Sequence, residues 1–214
     1  QAQWLPLLAQ GTVGTVALFE EEGHWDLEQP QCRASVSGPT ATLSGSKTLV
    51  TDAAVAGVVL VSVQLNGAPA LAVLPTAALP AGALQRETVI DETRRSYRLV
   101  LDGLTMPADA LITGAAAQAA LAAIRTAAWL LISAEAAGGI AGALDVIVDY
   151  LNTRTTFGRK IGSYQGLKHP SADILNSLER ARSHVAHAAT LLNDGDDAEV
   201  ALRMAQVEAG DGLV

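Results

Sequence analysis

The chain has 214 residues, 50% of them hydrophobic and 17% charged, with a formal net charge of −8 and a pI near 4.9. That composition supplies a sizeable core and argues against global disorder. The acidic balance argues against nucleic acid as the main partner, because phosphate binding wants a basic surface. The single cysteine, Cys32, allows no internal disulfide, which fits a reducing, cytoplasmic setting.

In chain order, Gln1 to Gln10 reads as the tail of a helix closed by Gly11. From Thr12 to about Thr113 short apolar or alternating runs are separated by Gly, Pro, Asn and Ser, as strands are. The runs are Val13–Phe19, Arg33–Val36, Thr40–Leu43, Thr48–Thr51, Gly57–Gln64, Ala70–Pro75, Glu87–Ile90 and Tyr97–Leu104. Asn66-Gly67 lies between two of them and predicts a hairpin turn. Strands at this spacing predict an antiparallel barrel or sandwich.

Pro107, Asp109 and Gly114 mark a boundary, after which three helices are predicted, at about 115–153, 168–193 and 197–213. Ala115 to Ile132 is apolar enough to raise a membrane span, but it is Ala-dominated and carries Gln118 and Arg125. A bundle helix is therefore expected, and no membrane partner. Pro170 is expected in the first turn of the second helix. Asp194-Gly195-Asp196-Asp197 lacks the full ligand spacing of a calcium loop and reads as a helix N-cap with an acidic first turn. No signal peptide is read at the N-terminus. The start without Met and the helical run ending at Val214 read as a piece of a longer protein.

The most informative stretch is Tyr150 to Pro170, with the pattern Y-x3-R-x-T-F-G-x-x-I-x-x-Y-Q-x3-H. Gly158 is read as a helix stop, and Arg154, Arg159 and Lys160 as cations suited to a helix C-terminus or a phosphate. Phe157 offers a flat face, and the Gln165 amide can both donate and accept. On the residues alone, a loop with capping cations and a buried Phe is the plainer account of the segment.

The long fixed spacing of that pattern resembles the flavin-dependent acyl-CoA dehydrogenase family. Three other segments are similar to that family: Gln3-Trp4-Leu5-Pro6, Leu43-Ser-Gly45-Ser-Lys47-Thr-Leu49-Val50-Thr51-Asp52, and Leu101-Asp-Gly-Leu-Thr-Met-Pro107. The resemblance implies an α+β multidomain fold. Residues 1–11 would end a preceding helical domain, 12–113 form the middle β-domain, and 114–214 form an incomplete up-down helical bundle. It also implies FAD as cofactor, an acyl-CoA thioester as substrate, oxidation to the 2,3-enoyl-CoA within fatty acid or lipid metabolism, and a homo- or hetero-oligomer.

By the same resemblance Arg154 would face the pyrophosphate of a neighbouring subunit's FAD, Thr156 and Phe157 its adenine side, and Gln165 the nucleotide. Thr51 would hydrogen-bond the flavin. The family's T-E-P-x-x-G-S-D segment reads here as Phe19-Glu20-Glu21-Glu22-Gly23-His24-Trp25-Asp26. Phe19 stands in place of a hydroxyl and Trp25 in place of a small residue. This departure favours an alternative, a non-catalytic partner subunit that completes a neighbour's FAD site. The family's usual base lies late in the bundle. Glu135, the only Glu of the first bundle helix, is the candidate here, on the argument that a carboxylate amid Ala residues is partly buried. A solvated or interface Glu is the plainer account of it. His184 and His187 at i and i+3 lack a third metal ligand nearby and read as surface histidines.

Overall fold

The computed structural model describes residues 4–213. The chain divides into two units, Gln1–Leu121 and Ala122–Val214. In the first, α1 (Trp4–Ala9) is followed by β1 (Gly14–Ala17), β2 (Arg33–Ser37), β3 (Thr40–Ser44), β4 (Ser46–Thr51), β5 (Val58–Leu65) and β6 (Ala68–Pro75). Then come β7 (Leu84–Glu87), β8 (Ser96–Val100), β9 (Thr105–Pro107) and β10 (Leu111–Ile112). Of the predicted N-terminal helix, Trp4–Ala9 is found and Gln1–Gln3 lie outside the described residues.

The run Val58-Val-Leu-Val-Ser-Val makes β5 a central strand, since a strand covered on both faces is apolar almost throughout rather than alternating. It pairs with β6 antiparallel over its whole length. Asn66 and Gly67 join them with φ of 51° and 81°, both positive as a type I′ turn requires. The sheet runs β10-β6-β5-β2-β3-β9, and β4-β8-β7 form a second sheet of three strands. Val59, Val61, Val63, Leu43, Leu99 and Leu101 lie at the centre of the core between them.

Most pairings are antiparallel, as expected, but two are parallel. The free edge of β5 is shared by β1, which pairs with Val58–Val61, and by β2, which pairs with Gln64 and Leu65. The two strands therefore run one after the other in the same direction. The segment between them, Leu18–Cys32, makes an excursion away from the sheet. The predicted strand at Glu87–Ile90 ends instead at Glu87. The Glu87 carboxylate accepts from Leu49 N and Ser96 Oγ there, and Ile90 is fully exposed.

The helix α2 (Gly114–Thr153) runs from the first unit into the second. A small hairpin, β11 (Thr155–Thr156) and β12 (Arg159–Lys160), follows it, and then α3 (Gln165–Asp194) and α4 (Glu199–Leu213). Trp129 of α2 packs near Ala188, Ala198 and Leu202, whereas Ile140 and Leu144 pack with Leu178, Ala181 and Ala209. These pairings make α3 antiparallel to α2 and α4 parallel to it, the expected up-down order. Two guanidiniums approach the Trp129 ring, Arg125 at 5.2 Å and Arg203 at 5.0 Å from its centroid.

The helix α3 begins at Gln165, three residues earlier than predicted. Pro170 therefore sits in its second turn rather than its first, and it offers no N–H to the carbonyl of Gly166. At the far end Gly195 has φ 78° and its N–H reaches Leu191 O and Leu192 O, while Asp197 Oδ1 accepts from Glu199 N. The Asp194–Asp197 segment thus caps two helices. By length and composition α2 could cross a membrane. Of its most apolar window 17% is buried, and Leu131, Ile132 and Val146 are exposed on the face turned away from α3 and α4.

Candidate functional site

Two places carry the residues that the sequence singles out, one in each unit. The first lies where the excursion Leu18–Cys32 meets β4. The backbone alternates as it leaves β1, so Glu20 points in while Phe19 and Glu21 point out. Phe19 and Thr48 form an isolated antiparallel bridge, with Thr48 N donating to Phe19 O at 2.9 Å. The register of β4 shifts between Lys47 and Val50, and Leu49 takes φ 54°, which turns its side chain outward. Together Phe19, Glu21, Gly23, Thr48, Leu49 and Arg98 line an open pocket of about 300 Å³.

Glu21 spans this pocket's rim, accepting from the Arg98 guanidinium and from Ser46 Oγ at 3.1 Å. The Arg98 and Ser46 hydrogen bonds hold its carboxyl below the usual range. The Thr48 hydroxyl donates to Glu20 O at 3.3 Å. Thr51 ends β4 in an exposed position outside the pocket lining, and its carbonyl accepts from Thr15 Oγ1 at 2.7 Å. Trp25 is exposed and does not line the pocket either.

Glu20, which also lines this pocket, forms with Lys47 a buried charge pair that the sequence reading did not assign. Lys47 is 0% exposed and Glu20 3%. Lys47 Nζ donates to Glu20 Oε1 at 2.7 Å, to Ser62 Oγ at 2.8 Å and to Leu18 O at 3.5 Å. Glu20 also accepts from Gln31 N and Cys32 N, each at 2.8 Å. Burial pushes the Glu20 carboxyl up, but Lys47 and these two N–H groups outweigh it and the carboxyl ends lower than usual. Burial pushes the Cys32 thiol up to about 12, so it is inert. The available signal was Lys47 itself, a charged residue at an inward position of a strand, followed two and three residues later by Leu49 and Val50.

The second place is the hairpin after α2. The helix ends at Thr153, and Phe157 (φ 51°) and Gly158 (φ 76°) form a two-residue turn between β11 and β12. Gly158 is therefore a hairpin residue, a correction to its reading as a helix stop. Both roles need positive φ, which is why the residue type did not separate them. Phe157 is 92% exposed at the tip, not buried.

The cations of this segment divide their work. Lys160 Nζ donates to Thr153 O at 2.9 Å, capping α2, and the Arg159 guanidinium lies 3.9 Å over the Tyr164 ring. Tyr164 OH donates to Thr156 O at 3.2 Å and braces the hairpin from below. Arg154 is exposed, and its guanidinium has no partner among the described residues. Gln165 opens α3 and is exposed. The hairpin thus brings Arg154, Thr156, Phe157 and Gln165 together. A free guanidinium, an exposed aromatic face and an exposed amide are a donor set that fits a dinucleotide's phosphate and base edge.

Glu135 lies on an exposed face of α2, so the partly buried setting expected for it is not found. About 28 Å of helix axis separates it from Arg154, at 1.5 Å per residue. Among the described residues no group of three His, Cys, Asp or Glu is placed to hold a metal ion.

The family model described as "Acyl-CoA dehydrogenase, C-terminal domain" matches residues 114–211. Acyl-CoA dehydrogenase FadE12 of Mycobacterium tuberculosis is 32% identical over 98% of this chain and 56% of its own length. The mitochondrial short-chain specific acyl-CoA dehydrogenase of Bos taurus is 28% identical over 88% of this chain and 48% of its own length. The crystal structure of a glutaryl-CoA dehydrogenase from Mycobacterium smegmatis in complex with FADH2 shares the fold, with a TM-score of 0.86 at 20% identity, over 99% of this chain and 55% of that one. The chain spans about half the length of the curated relatives it matches over most of its own length. With the hairpin motif, the strand order and these matches in agreement, the chain belongs to the acyl-CoA dehydrogenase family.

Proposed function

We propose that this chain serves in the FAD-dependent α,β-dehydrogenation of an acyl-CoA thioester to the 2,3-enoyl-CoA, in an oligomer of acyl-CoA dehydrogenase subunits. The observation that carries this reading is the α2–α3 hairpin, where Arg154 is left uncommitted beside the exposed Phe157 while the other cations are spent on structure. Arg154 would pair with the pyrophosphate, Phe157 and Thr156 would flank the adenine, and Gln165 would bond the nucleotide edge. When bound, FAD supplies the hydride acceptor. Thr51 is the candidate flavin hydrogen bond from the β-side. Glu135, exposed on α2, is the candidate base through the resemblance alone.

The β-side pocket supports a second reading, a non-catalytic partner that completes a neighbour's site. Its one cation, Arg98, is committed to Glu21, its Thr48 hydroxyl is spent on Glu20 O, and Phe19 and Leu49 present carbon. The visible absorption of the full-length protein, alone and mixed with a homologous subunit, separates the two. Stoichiometric flavin bands from this protein alone support the enzyme. Bands only in the mixture, at half occupancy, support the partner. Flavin in neither overturns both.

A further inference from the structure

The α2–α3 connection presents its dinucleotide-binding groups from two elements. Arg154, Thr156 and Phe157 belong to the hairpin, and Gln165 is the first residue of α3. The hairpin has strands of only two residues each, and a two-stranded hairpin on its own is marginal in water. Its base is tied to the end of α2. Ile161 N donates to Arg154 O at 2.9 Å, beside the Lys160 cap. Gly162 presses on the last turn of that helix, where a Cβ would stand 2.9 Å from Leu151 O.

The tip is held by Tyr164. Thr156 and Arg159 are the cross-strand pair flanking the Phe157-Gly158 turn. The Tyr164 hydroxyl donates to Thr156 O and the Arg159 guanidinium lies over its ring, so one half-buried side chain touches both strands. Tyr164 also immediately precedes Gln165, and its carbonyl accepts from Leu167 N and Lys168 N in the first turn of α3. Its backbone is therefore fixed to the helix that carries the amide, and its side chain to the hairpin that carries the guanidinium and the aromatic face.

Packing under Arg159 needs only the ring, since a Phe face attracts a guanidinium too. The hydroxyl adds one hydrogen bond outside the helical cores, which are built from other residues. What that bond fixes is the placement of the hairpin tip relative to Gln165. We propose that Tyr164 is a positioning residue for the dinucleotide, its hydroxyl setting the Thr156–Phe157 limb against the Gln165 amide so that both engage one ligand. This rests on the reading that the hairpin and Gln165 hold FAD, and it deepens that reading by naming the residue that aligns them.

The test uses the intact protein in its native oligomer, with the FAD dissociation constant, hydrogen exchange over residues 155–160 and the melting temperature read for each variant. Tyr164→Phe keeps the ring under Arg159 and removes the hydroxyl alone. It is expected to melt as wild type, to exchange faster over 155–160, and to hold FAD on the order of fivefold more weakly, the worth of one neutral hydrogen bond. Phe157→Ala removes a group that the hydroxyl places. Added to Phe157→Ala, Tyr164→Phe is therefore expected to weaken FAD by less than it does alone. Wild-type affinity in Tyr164→Phe overturns the proposal, and so do fully additive losses in the double variant. A melting temperature that falls in step with affinity overturns it as well, because the hydroxyl then serves the fold. Weaker FAD with unchanged exchange overturns it too, because the hydroxyl then acts on the ligand directly. A wild-type protein that takes up no flavin, or a Phe157→Ala variant of wild-type affinity, overturns the functional reading together with this one, and is told apart because no Tyr164 variant is needed to see it.

Discussion

Glu20 links the stability of the first unit to pH. Its folded value lies below the ordinary 4.5 because Lys47 and two backbone N–H groups outweigh the effect of burial. A group lowered in the folded state contributes stability that is complete above its unfolded value and drains away as pH falls through the folded one. Melting temperature measured across pH 3 to 7 (a range of about four units around the carboxylate value) should therefore fall steeply on the acid side in wild type. It should fall less steeply in Glu20→Gln, and equal slopes would show that Glu20 carries no such linkage. Arg154 is the opposite kind of residue, exposed and uncommitted, so Arg154→Ala should leave the melting temperature unchanged and lower flavin retention in the oligomer on dialysis. Unchanged retention would remove the hairpin from the functional argument. The contrast also explains what could be read beforehand. Arg154 announces itself through neighbours at fixed spacing. Glu20 and Lys47 lie far apart in sequence, and only the strand pairing shows that they meet.

At the scale of the element, the α2–α3 connection is a rigid hairpin rather than a loop. Tyr164 bonds it from below, Lys160 ties it to the helix end, and Gly158 closes it at φ 76° with open space around its Cα. The cost of Gly158→Val is thus conformational, on the order of 1–2 kcal/mol for a left-handed position. That cost falls on the hairpin and not on the helical core. The expected outcome is a lowered flavin occupancy with circular dichroism and oligomer size intact. A variant with full occupancy would mean that the turn tolerates the side chain. A break in the helix was legible in the right place, but as the wrong kind of break. Gly serves both a helix end and a type I′ turn, and the pairing of Thr155–Thr156 with Arg159–Lys160 spans too few residues to leave a periodic signal. The same limit hid the parallel strands: alternation tells which face is buried, not which way the partner runs.

For the whole molecule, the order of strands then helices was legible because the hydrophobic period changes from two to near four where Gly114 intervenes. Each unit has its own core, and α2 crosses the boundary between them. Separate cores should yield separate responses. Hydrogen exchange in Lys47→Met should open amides of Leu18–Cys32 and β4 while those of α3 and α4 stay protected. Leu202→Ala, a cavity costing about 2–5 kcal/mol, should do the reverse. Loss of protection in both units from either substitution would show that the chain unfolds as one cooperative body.

The placement of β1 and β2 end to end along β5 has an evolutionary consequence. The sheet is fixed by what happens before Leu18 and after Cys32, and the span between them is an insertion cassette with its own clasp. A cassette of that kind can exchange Thr for Phe or Ser for Trp at no expense to the sheets. A lineage can then rewrite the chemistry of this pocket, or retire it, while the strands and the clasp stay as they were.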